Sequence, residues 1–488
     1  MFNKLAIRIL AVLIMTISPL TLHAQQSQAE YFIKFPQASY SNPAFRPLMN
    51  VYICLPGLSG IYANTNNNIV SLSQLFQQKP GTDSVITILH PEYDREELLN
   101  NLGKNDYLMA DAGVQLLGVG FSIEDDWFVD ISISEKAIVS AYLPKELITL
   151  LIKGNQDFVG STLDMSGMGF QAIQYLESSV GISKSISSKL RLGGRLKFLM
   201  GGAGATLSGE QFDLRVNEDF SHTLTTDLNL SLSGPVTVTV DDEGFIEDIK
   251  VDENINPYDM LFNVHNSGFA FDLGAEYRLL DNLSLSASIV DVGFIGWNHR
   301  TFIMEANNYF AFDGFDLTDV IEGDMTLDEM MTIYSDSLKN SFTFNNSEES
   351  FKTWLPSKLF LGVSYRPVNF LELGMMGRTT LSQGHVNQSV SISASLHSSD
   401  ILSTSLVYTM ANRSYNNIGF GLSLRLGPLQ LYTILDQIPV NWTRITLPGE
   451  TRPIIIPERL DYMNVRVGIN LVFGNIKQKR TDTPMLCE

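Results

Sequence analysis

Apolar side chains alternate with polar or small ones along many segments of about ten residues. The clearest example runs from Val465 to Phe473, where every second position is apolar. A period of two predicts a β-strand with one apolar face. About ten residues is also the length that a tilted strand needs to cross a bilayer. A half-buried strand of a soluble sandwich alternates in the same way. The choice between a membrane barrel and a soluble sandwich therefore depends on how many such segments there are and how they are connected.

Several of these segments are joined in pairs by short polar turns, which predicts antiparallel hairpins. The pairs are 119–123 with 129–133, 269–277 with 283–289, 359–365 with 371–375, 390–396 with 402–408, and 418–426 with 429–435. In lipid, an open sheet edge would leave backbone groups without partners, so a sheet with an apolar outer face must close. We therefore expect an all-β fold, a transmembrane antiparallel β-barrel of about 14 strands, with 12 to 16 possible.

The connections between the predicted strands are long, and three carry helix signals. Residues 94–102 end at Gly103, residues 144–153 begin with proline and end before Gly154, and Thr326 forms a capping box with Glu329. Aromatic residues near strand ends suit an interfacial girdle: Trp127, Phe198, Tyr277, Trp297, Tyr365 and Phe473. The glycines at 201, 202 and 204 are interpreted as a flexible kink, because no phosphate-loop lysine follows them.

The polar faces of the strands would line a lumen with charges of both signs. Candidate lumen-facing residues are Arg191, Arg195, Lys197, Asp272, Glu276, Arg278, Glu372, Arg378, Arg425 and Arg466. We interpret them as salt bridges inside the barrel rather than as an ion-selective ring. Glycines on the same faces could leave a path for a solute.

The first 24 residues predict a secretory signal peptide. Lys4 and Arg8 precede a short apolar run, and cleavage is expected after Ala24. That run is too short to span a bilayer, as is every later apolar segment. The expected organisation is a barrel over 25–473 and a periplasmic tail over 474–488. Cys54 and Cys487 lie at opposite ends of the chain, so no disulfide framework is expected.

The net charge of −20 is concentrated in two stretches. Ten acidic residues lie between Asp313 and Glu349 against Lys339 alone, and seven lie between Asp241 and Glu253 against Lys250. We interpret both as loops, the first as an acidic loop over 313–352. We do not expect nucleic acid as a partner, because binding its phosphates requires a basic face that this acidic chain lacks.

No catalytic or metal-binding pattern emerges from the remaining residues. His222, His265, His299, His385 and His397 are scattered singly, which excludes a zinc helix motif. The run 241–244 lacks EF-hand spacing and is interpreted as a hairpin tip, with weak calcium binding left open. No nucleophile stands beside a base in the sequence. We therefore expect neither an enzyme nor a cofactor or metal.

Five stretches resemble uncharacterised outer-membrane barrels, a domain of unknown function typical of the Bacteroidota. They are 41–45 (SNPAF), 143–147 (LPKEL), 290–297 (VDVGFIGW), 427–430 (GPLQ) and 464–474 (NVRVGINLVFG). Asn42, Pro43 and Ala44 also look like an element of the long-chain fatty-acid transporter family, where it belongs to a plug-like segment. That resemblance implies a plug-like segment over 25–80. From the residues alone, Asn42-Pro43 is simply the start of a turn. Similar barrels accompany type IX secretion.

Three functions remain open at this point. The first is a porin-like conduit for a small, possibly hydrophobic molecule, motivated by the barrel and the Asn42–Ala44 element. The second is a docking barrel for a protein of a secretion or surface complex, motivated by the long acidic loops. The third is a soluble periplasmic β protein. The first two imply outer-membrane lipid and the barrel insertion machinery as partners. Phe473 closes the last strand 15 residues before the end of the chain.

Overall fold

The computed structural model describes residues 28–33, 35–69, 76–78, 85–87, 92–103, 105–124, 126–219, 221–240, 246–251, 256–312, 343–345, 349–398, 401–411, 414–436, 442–445, 454–457 and 462–474. Four predictions lie wholly or mainly outside these residues. They are the signal peptide, the hairpin tip at 241–244, the acidic loop with its helix from Thr326, and the tail after Gly474.

The described chain is dominated by β-strands. In chain order they are β1 Val51–Cys54, β2 Ile61–Asn67, β3 Phe76–Gln78, β4 Val85–Thr87, β5 Asn105–Ile123, β6 Trp127–Pro144, β7 Thr162–Asp164, β8 Gly169–Ser185, β9 Leu190–Val216, β10 His222–Ser233, β11 Val236–Val240, β12 Ile246–Val251 and β13 Ser267–Leu280. The second half contains β14 Leu283–Trp297, β15 Thr301–Phe312, β16 Thr343–Asn345, β17 Phe351–Trp354, β18 Ser357–Val368, β19 Leu371–Ser382, β20 His385–Ser398, β21 Leu402–Ala411, β22 Ser414–Leu426, β23 Leu429–Asp436, β24 Trp442–Ile445, β25 Ile454–Pro457 and β26 Tyr462–Phe473.

The helices are short. They are α1 Ala29–Phe32, α2 Arg95–Asn101, α3 Lys145–Lys153 and α4 Pro257–Leu261, with 3-10 turns at Pro36–Tyr40 and Gln156–Phe158. The helices predicted over 94–102 and 144–153 are thus confirmed to within a residue at each end. No helix in the described part of the chain is long and apolar enough to cross a membrane.

The sheet closes into a barrel of 14 antiparallel strands, as predicted. The barrel closes at β1 and β2. Together they form one interrupted strand that lies between β26, the last strand of the chain, and β5. Val51 pairs with Phe473 of β26 on one side and with Phe121 of β5 on the other. β17 and β18 likewise form one strand, interrupted at Leu355-Pro356. Residues 51–54 and 61–67, which the predicted plug-like segment 25–80 includes, therefore lie in the barrel wall.

The two ends of the barrel differ in their connections. At one end, which we call the short-turn end, the strands are joined by residues 124–126, 186–189, 281–282, 369–370, 399–401 and 427–428. At the other, the long-loop end, the connections include 68–104, 145–168, 217–266, 298–350 and 437–461. Both the entry to β1 and the exit from β26 lie at the short-turn end.

The wall alternates as the sequence predicts, because successive side chains of a strand point to opposite faces. Leu196, Ile392 and Leu406 are about half exposed on the outside. Arg195, Lys197 and Ser391 are buried on the inside. Several strands are longer than the expected ten residues. β9 has 27, since it continues past the long-loop end and pairs there with β10, which pairs in turn with β15.

Candidate lumen site

Residues 28–33 and 35–50, which we call the N-terminal segment, lie inside the barrel and end at its short-turn end. Tyr31, Phe32, Ile33 and Phe35 form one buried cluster with inward-facing side chains of the wall. These wall residues are Val290, Phe360, Met376, Val407, Tyr432 and Ile434. Burial of large apolar side chains against this segment is worth about 1.5–3 kcal/mol for each. The lumen thus contains an apolar region that the segment fills.

Glycines on the inner face of the wall make room for this segment. A Cβ added to any of five of them would lie within 3.0 Å of an atom of the segment: Gly193 against Pro43, Gly274 against Asn42, Gly362 against Tyr31, Gly374 against Phe32, and Gly421 against Ile33. These five lumen glycines, which the sequence left as part of a possible path, are therefore covered by the N-terminal segment. They allow its close approach to the wall.

Polar contacts hold the segment at its two ends and in its middle. The backbone N–H groups of Gln28 and Ala29 donate to the carboxylate of Asp436 (3.2 and 3.3 Å). Arg466 donates to Glu30 (3.1 Å). Further along, Nε2 of Gln37 donates to Oδ1 of Asn470 (3.0 Å). Nearer the exit, Arg46 donates to Ser122 (3.0 Å). No described strand of the wall pairs with this segment, so side chains and loop backbone carry its attachment.

Asn42, Pro43 and Ala44 lie within the segment, against β9 and β13. Oδ1 of Asn42 accepts from the backbone N–H of Ala44 (2.9 Å), which is the local turn that the dipeptide predicts. Nδ2 of the same side chain donates to the carbonyl of Ala275 (3.3 Å). Asn42 thus links a turn of the segment to the wall. Whether the segment acts as a plug stays a prediction.

A chain of alternating charges crosses the inner face beside this turn. Nη2 of Arg195 donates to both oxygens of Asp130 (2.9 and 3.0 Å) and to Oγ of Ser39 (3.1 Å). Nζ of Lys197 contacts Asp272 (2.7 Å) and Asp291 (2.5 Å). Asp291 also accepts from Nζ of Lys358 (2.8 Å). Breaking such buried pairs is costly, because it leaves a charge without compensation.

The structure gathers some of the ten candidate lumen residues and separates others. Arg195, Lys197 and Asp272 belong to this chain of charges. The carboxylate of Glu372 accepts from Nε of Arg366 (2.6 Å). Arg378 packs over the ring of Phe360, and Arg466 forms a salt bridge with Glu30. Four lie near the short-turn end of their strands: Arg191, which donates to Ser185, the half-buried Glu276, the exposed Arg278, and Arg425, which donates to the carbonyl of Gly427.

Several charged residues of this region were not predicted from the sequence. They include Glu30, Asp130, Asp291, Lys358, Asp436 and the pair formed by Lys136 and Glu177 (2.7 Å). The position of Asp291 is the least predictable of these from the sequence. Its backbone has a φ of +60° inside a strand, and its N–H donates to Asp272 (2.8 Å). The irregular register between β13 and β14 at this point turns its carboxylate toward the two lysines. Alternation alone cannot predict such a bulge.

Near the long-loop end, one side of the lumen is filled by side chains of the wall itself. A run of adjacent strands from β8 to the β17–β18 connection forms a buried cluster there, which includes Trp297, Ile295, Ile173, Tyr175 and Leu355. The indole N–H of Trp297 donates to Thr353 (2.8 Å), and its ring covers Gly201 and Gly204. The girdle position expected for Trp297 is therefore wrong, since the side chain is fully buried. The run at 201–204 is part of β9 and makes room for this ring.

Electrostatics in the N-terminal segment are set by burial. The pKa of Glu30 is raised above its usual value because desolvation disfavours the carboxylate more strongly than Arg466 favours it. Among the described residues, no three His, Cys, Asp or Glu side chains are placed to hold a metal ion. The arrangement offers packing surfaces and ion pairs.

Comparison with known proteins gives one family and several structural likenesses. No curated protein matches the chain significantly. Three solved structures are similar to it at low identity. A TodX deltaS2S3 mutant monoaromatic hydrocarbon channel is 11% identical, with a TM-score of 0.40 over 92% of this chain and 99% of that one. The toluene transporter TodX of Pseudomonas putida is 9% identical, with a TM-score of 0.36 over 89% and 92%. A Pseudomonas aeruginosa FadL homologue is 10% identical, with a TM-score of 0.39 over 93% and 99%.

The barrel architecture of the present chain rests on its own strand pairing rather than on these likenesses. A family model matches residues 43–436 of the sequence. The match includes the turn at Pro43, the charge chain and most of the wall. The chain therefore belongs to the family of unknown function described as DUF5723.

Proposed function

We propose that this protein is an outer-membrane conduit for a small hydrophobic or amphipathic molecule, and that the N-terminal segment is its movable plug. The observation that carries the proposal is the apolar cluster inside the lumen, shared by Tyr31, Phe32, Ile33 and the inner wall. A barrel used only as a scaffold has no need of an apolar interior that is covered by a separable segment.

Membrane residence is supported by the outside of the barrel. Apolar side chains remain exposed there on many strands, including Val180, Leu196, Leu361 and Leu406. In outer-membrane barrels the short turns face the periplasm and the long loops face the exterior. By that rule the N-terminal segment enters from the periplasmic side, and the long connections face outward.

The proposal is tested by transport into liposomes that contain the purified protein. A fluorescent fatty acid, toluene and a small neutral sugar are offered separately. We expect entry of one of the first two, faster than in protein-free vesicles. If neither the fatty acid nor toluene enters faster than in protein-free vesicles, the hydrophobic conduit is excluded, whether or not the sugar enters.

A tethered variant serves as the matched control for movement of the segment. A Cβ added to Gly421 would lie 3.6 Å from Cβ of Ala29, which is within the Cβ separation of a disulfide. Paired Ala29→Cys and Gly421→Cys changes in a Cys54→Ser and Cys487→Ser background therefore place two thiols side by side, with the end of the Ile33 side chain shifting to make room. Oxidation should stop transport and reduction should restore it. Transport that continues through the oxidised protein would show that the segment is not the plug.

A docking barrel is the second candidate, and the extension beyond the long-loop end favours it. β9, β10 and β15 continue as a sheet past the barrel. One face of its first part packs on α3 through Leu163, Phe212 and Leu214. A scaffold would present such a sheet to a partner. Extraction in mild detergent, followed by mass spectrometry, should then recover a stoichiometric protein, whereas a chain recovered alone argues against docking.

A further inference from the structure

A tight turn at the long-loop end reaches across the lumen. The turn joins β19 to β20, which lie half-way round the barrel from β6. Nevertheless, Nε2 of Gln383 donates to Oγ of Ser140 in β6 (2.6 Å). The ring of His385 stacks on Tyr142 of the same strand, with 3.7 Å between ring centroids. Opposite walls of the barrel therefore meet at this end.

Neighbouring side chains complete the contact. Nδ2 of Asn387 donates to the hydroxyl of Tyr142 (3.4 Å) and lies 3.9 Å from the sulfur of Met109 in β5. On the other side, a Cβ added to Gly169 at the start of β8 would lie 2.7 Å from Oε1 of Gln383. The turn is thus seated against β5, β6 and β8. This contact is separate from the N-terminal segment, which none of these atoms touches in the bonds described.

The backbone of the turn indicates that the Gln383 side chain has a role. Gln383 has a φ of +48° and Gly384 a φ of +77°, the left-handed pair that a two-residue hairpin requires. Glycine and asparagine adopt that conformation readily, whereas a longer side chain does so at a cost. Glutamine at this position is explained by its amide, which reaches Ser140 where the shorter asparagine side chain would fall short.

The geometry points to the Ser382–His385 turn as a gate that closes the long-loop mouth of the conduit. The inference rests on the proposed transport function and adds a second closure to the N-terminal segment. The gate opens when the turn swings back into line with β19 and β20 and the Gln383–Ser140 and His385–Tyr142 contacts separate. Its parts are few and weakly held compared with the buried ion pairs of the wall, as a movable element requires.

Thiol labelling in nanodiscs tests the gate without any transported solute. Cys54→Ser and Cys487→Ser remove both native thiols, and Thr380→Cys places a reporter on the inner face of β19, where the native side chain is 1% exposed. A charged maleimide then measures access. The test variant is Gln383→Gly, which removes the amide while keeping a residue that favours positive φ. We expect labelling about fivefold faster, as for loss of one hydrogen bond.

Two further variants make the outcome specific. His385→Ala should also accelerate labelling, because it removes the stack on Tyr142. Gln388→Ala removes another amide of the same hairpin, one that donates to Thr379 on the neighbouring strand, and should leave the rate unchanged. An unchanged rate in Gln383→Gly, or an equal rise in Gln388→Ala, would overturn the gate.

The folded state is verified by heat-modifiable migration on gels before labelling. The gate and the conduit can fail separately. If the labelling rates change as expected but no variant transports any solute, the closure of the mouth stands and the transport proposal falls. If the protein transports solute while Gln383→Gly labels at the original rate, the conduit stands without this gate.

Discussion

In the half of the lumen that holds the N-terminal segment, wall side chains pack against that segment, whereas in the half around Trp297 they pack against each other. The first contact is made over glycines, with Pro43 on Gly193 and Ile33 on Gly421. The second is made by large side chains such as Trp297 and Phe351, whose rings stack 5.9 Å apart. One half is filled by a separate piece of chain, and the other by the strands themselves.

This difference distinguishes the contacts that hold the strands of the barrel together from those that hold the N-terminal segment inside it. Side chains of paired strands cannot move apart without disturbing the sheet. The N-terminal segment has no strand pairing with the wall in the described structure, so its release would break side-chain contacts and hydrogen bonds only. Changes in the two halves should therefore affect different measurements, and the following variants exploit that.

The largest loss of stability is expected for Trp297→Ala. The fully buried ring fills the space over Gly201 and Gly204, and its removal leaves a cavity worth about 4 kcal/mol of unfolding free energy. Urea unfolding in detergent micelles measures the change. Trp354→Ala is the matched control, because that side chain is 65% exposed, and it should cost under about 1 kcal/mol. Equal losses would mean that the half around Trp297 is not a packed core.

A somewhat smaller loss is expected for Arg195→Met, which lies where the two kinds of contact meet. The guanidinium binds Asp130 of the wall and Ser39 of the segment. Its removal leaves Asp130 and Asp272 without full compensation and should cost about 3 kcal/mol in the same unfolding assay. It should also make the N-terminal segment easier to cut by an added protease. The exposed Arg278→Met is the control, and a similar loss there would contradict the assigned role.

Gly193→Ala should unseat the segment while leaving the sheet intact. An added Cβ would meet the backbone of Pro43 and Ala44, at a cost of about 2 kcal/mol by overpacking. We expect faster proteolysis of the segment and an unchanged far-ultraviolet spectrum. Gly377→Ala is the control, since nothing lies within 4 Å of its added Cβ. Protection of the segment in Gly193→Ala equal to that in the control would show that this contact does not seat it.

The difference between the two halves also explains what the sequence could predict. Alternation predicted the wall well, because each inward or outward position repeats along a strand, as from Val465 to Phe473. Arg195, Lys197 and Asp272 were predicted on the inner face for the same reason. Their partner Asp291 was missed, because a bulge with positive φ breaks the alternation on which the prediction depends.

Contacts across the lumen could not be predicted from the sequence, for a different physical reason. Tyr31 and Ser286, or Gln37 and Asn470, are separated by hundreds of residues and share no periodic pattern. Trp297 was assigned to a girdle because its place near a strand end suits either face. The bulge at Asp291 shifts the alternation along β14, so that the inward face changes from Ser288 and Val290 before it to Ile295 and Trp297 after it. The apolar residues at 31–35 carry no period-two signal and so indicated no wall contact.

The smallest expected effect is a change in how steeply the free energy of unfolding depends on pH, rather than a change in stability at a single pH. Burial raises the pKa of Glu30 in the N-terminal segment, so the folded protein holds this proton more tightly than the unfolded chain does. The free energy of unfolding should therefore fall as the pH rises through the interval between the unfolded and the folded pKa. Glu30→Gln removes this contribution and should flatten the profile there, as measured by urea unfolding at several pH values. Gln37→Ala, which removes an uncharged contact of the same segment, should lower the whole profile without changing its slope. A profile that keeps its slope in Glu30→Gln would mean that the segment is not held through this buried carboxyl group.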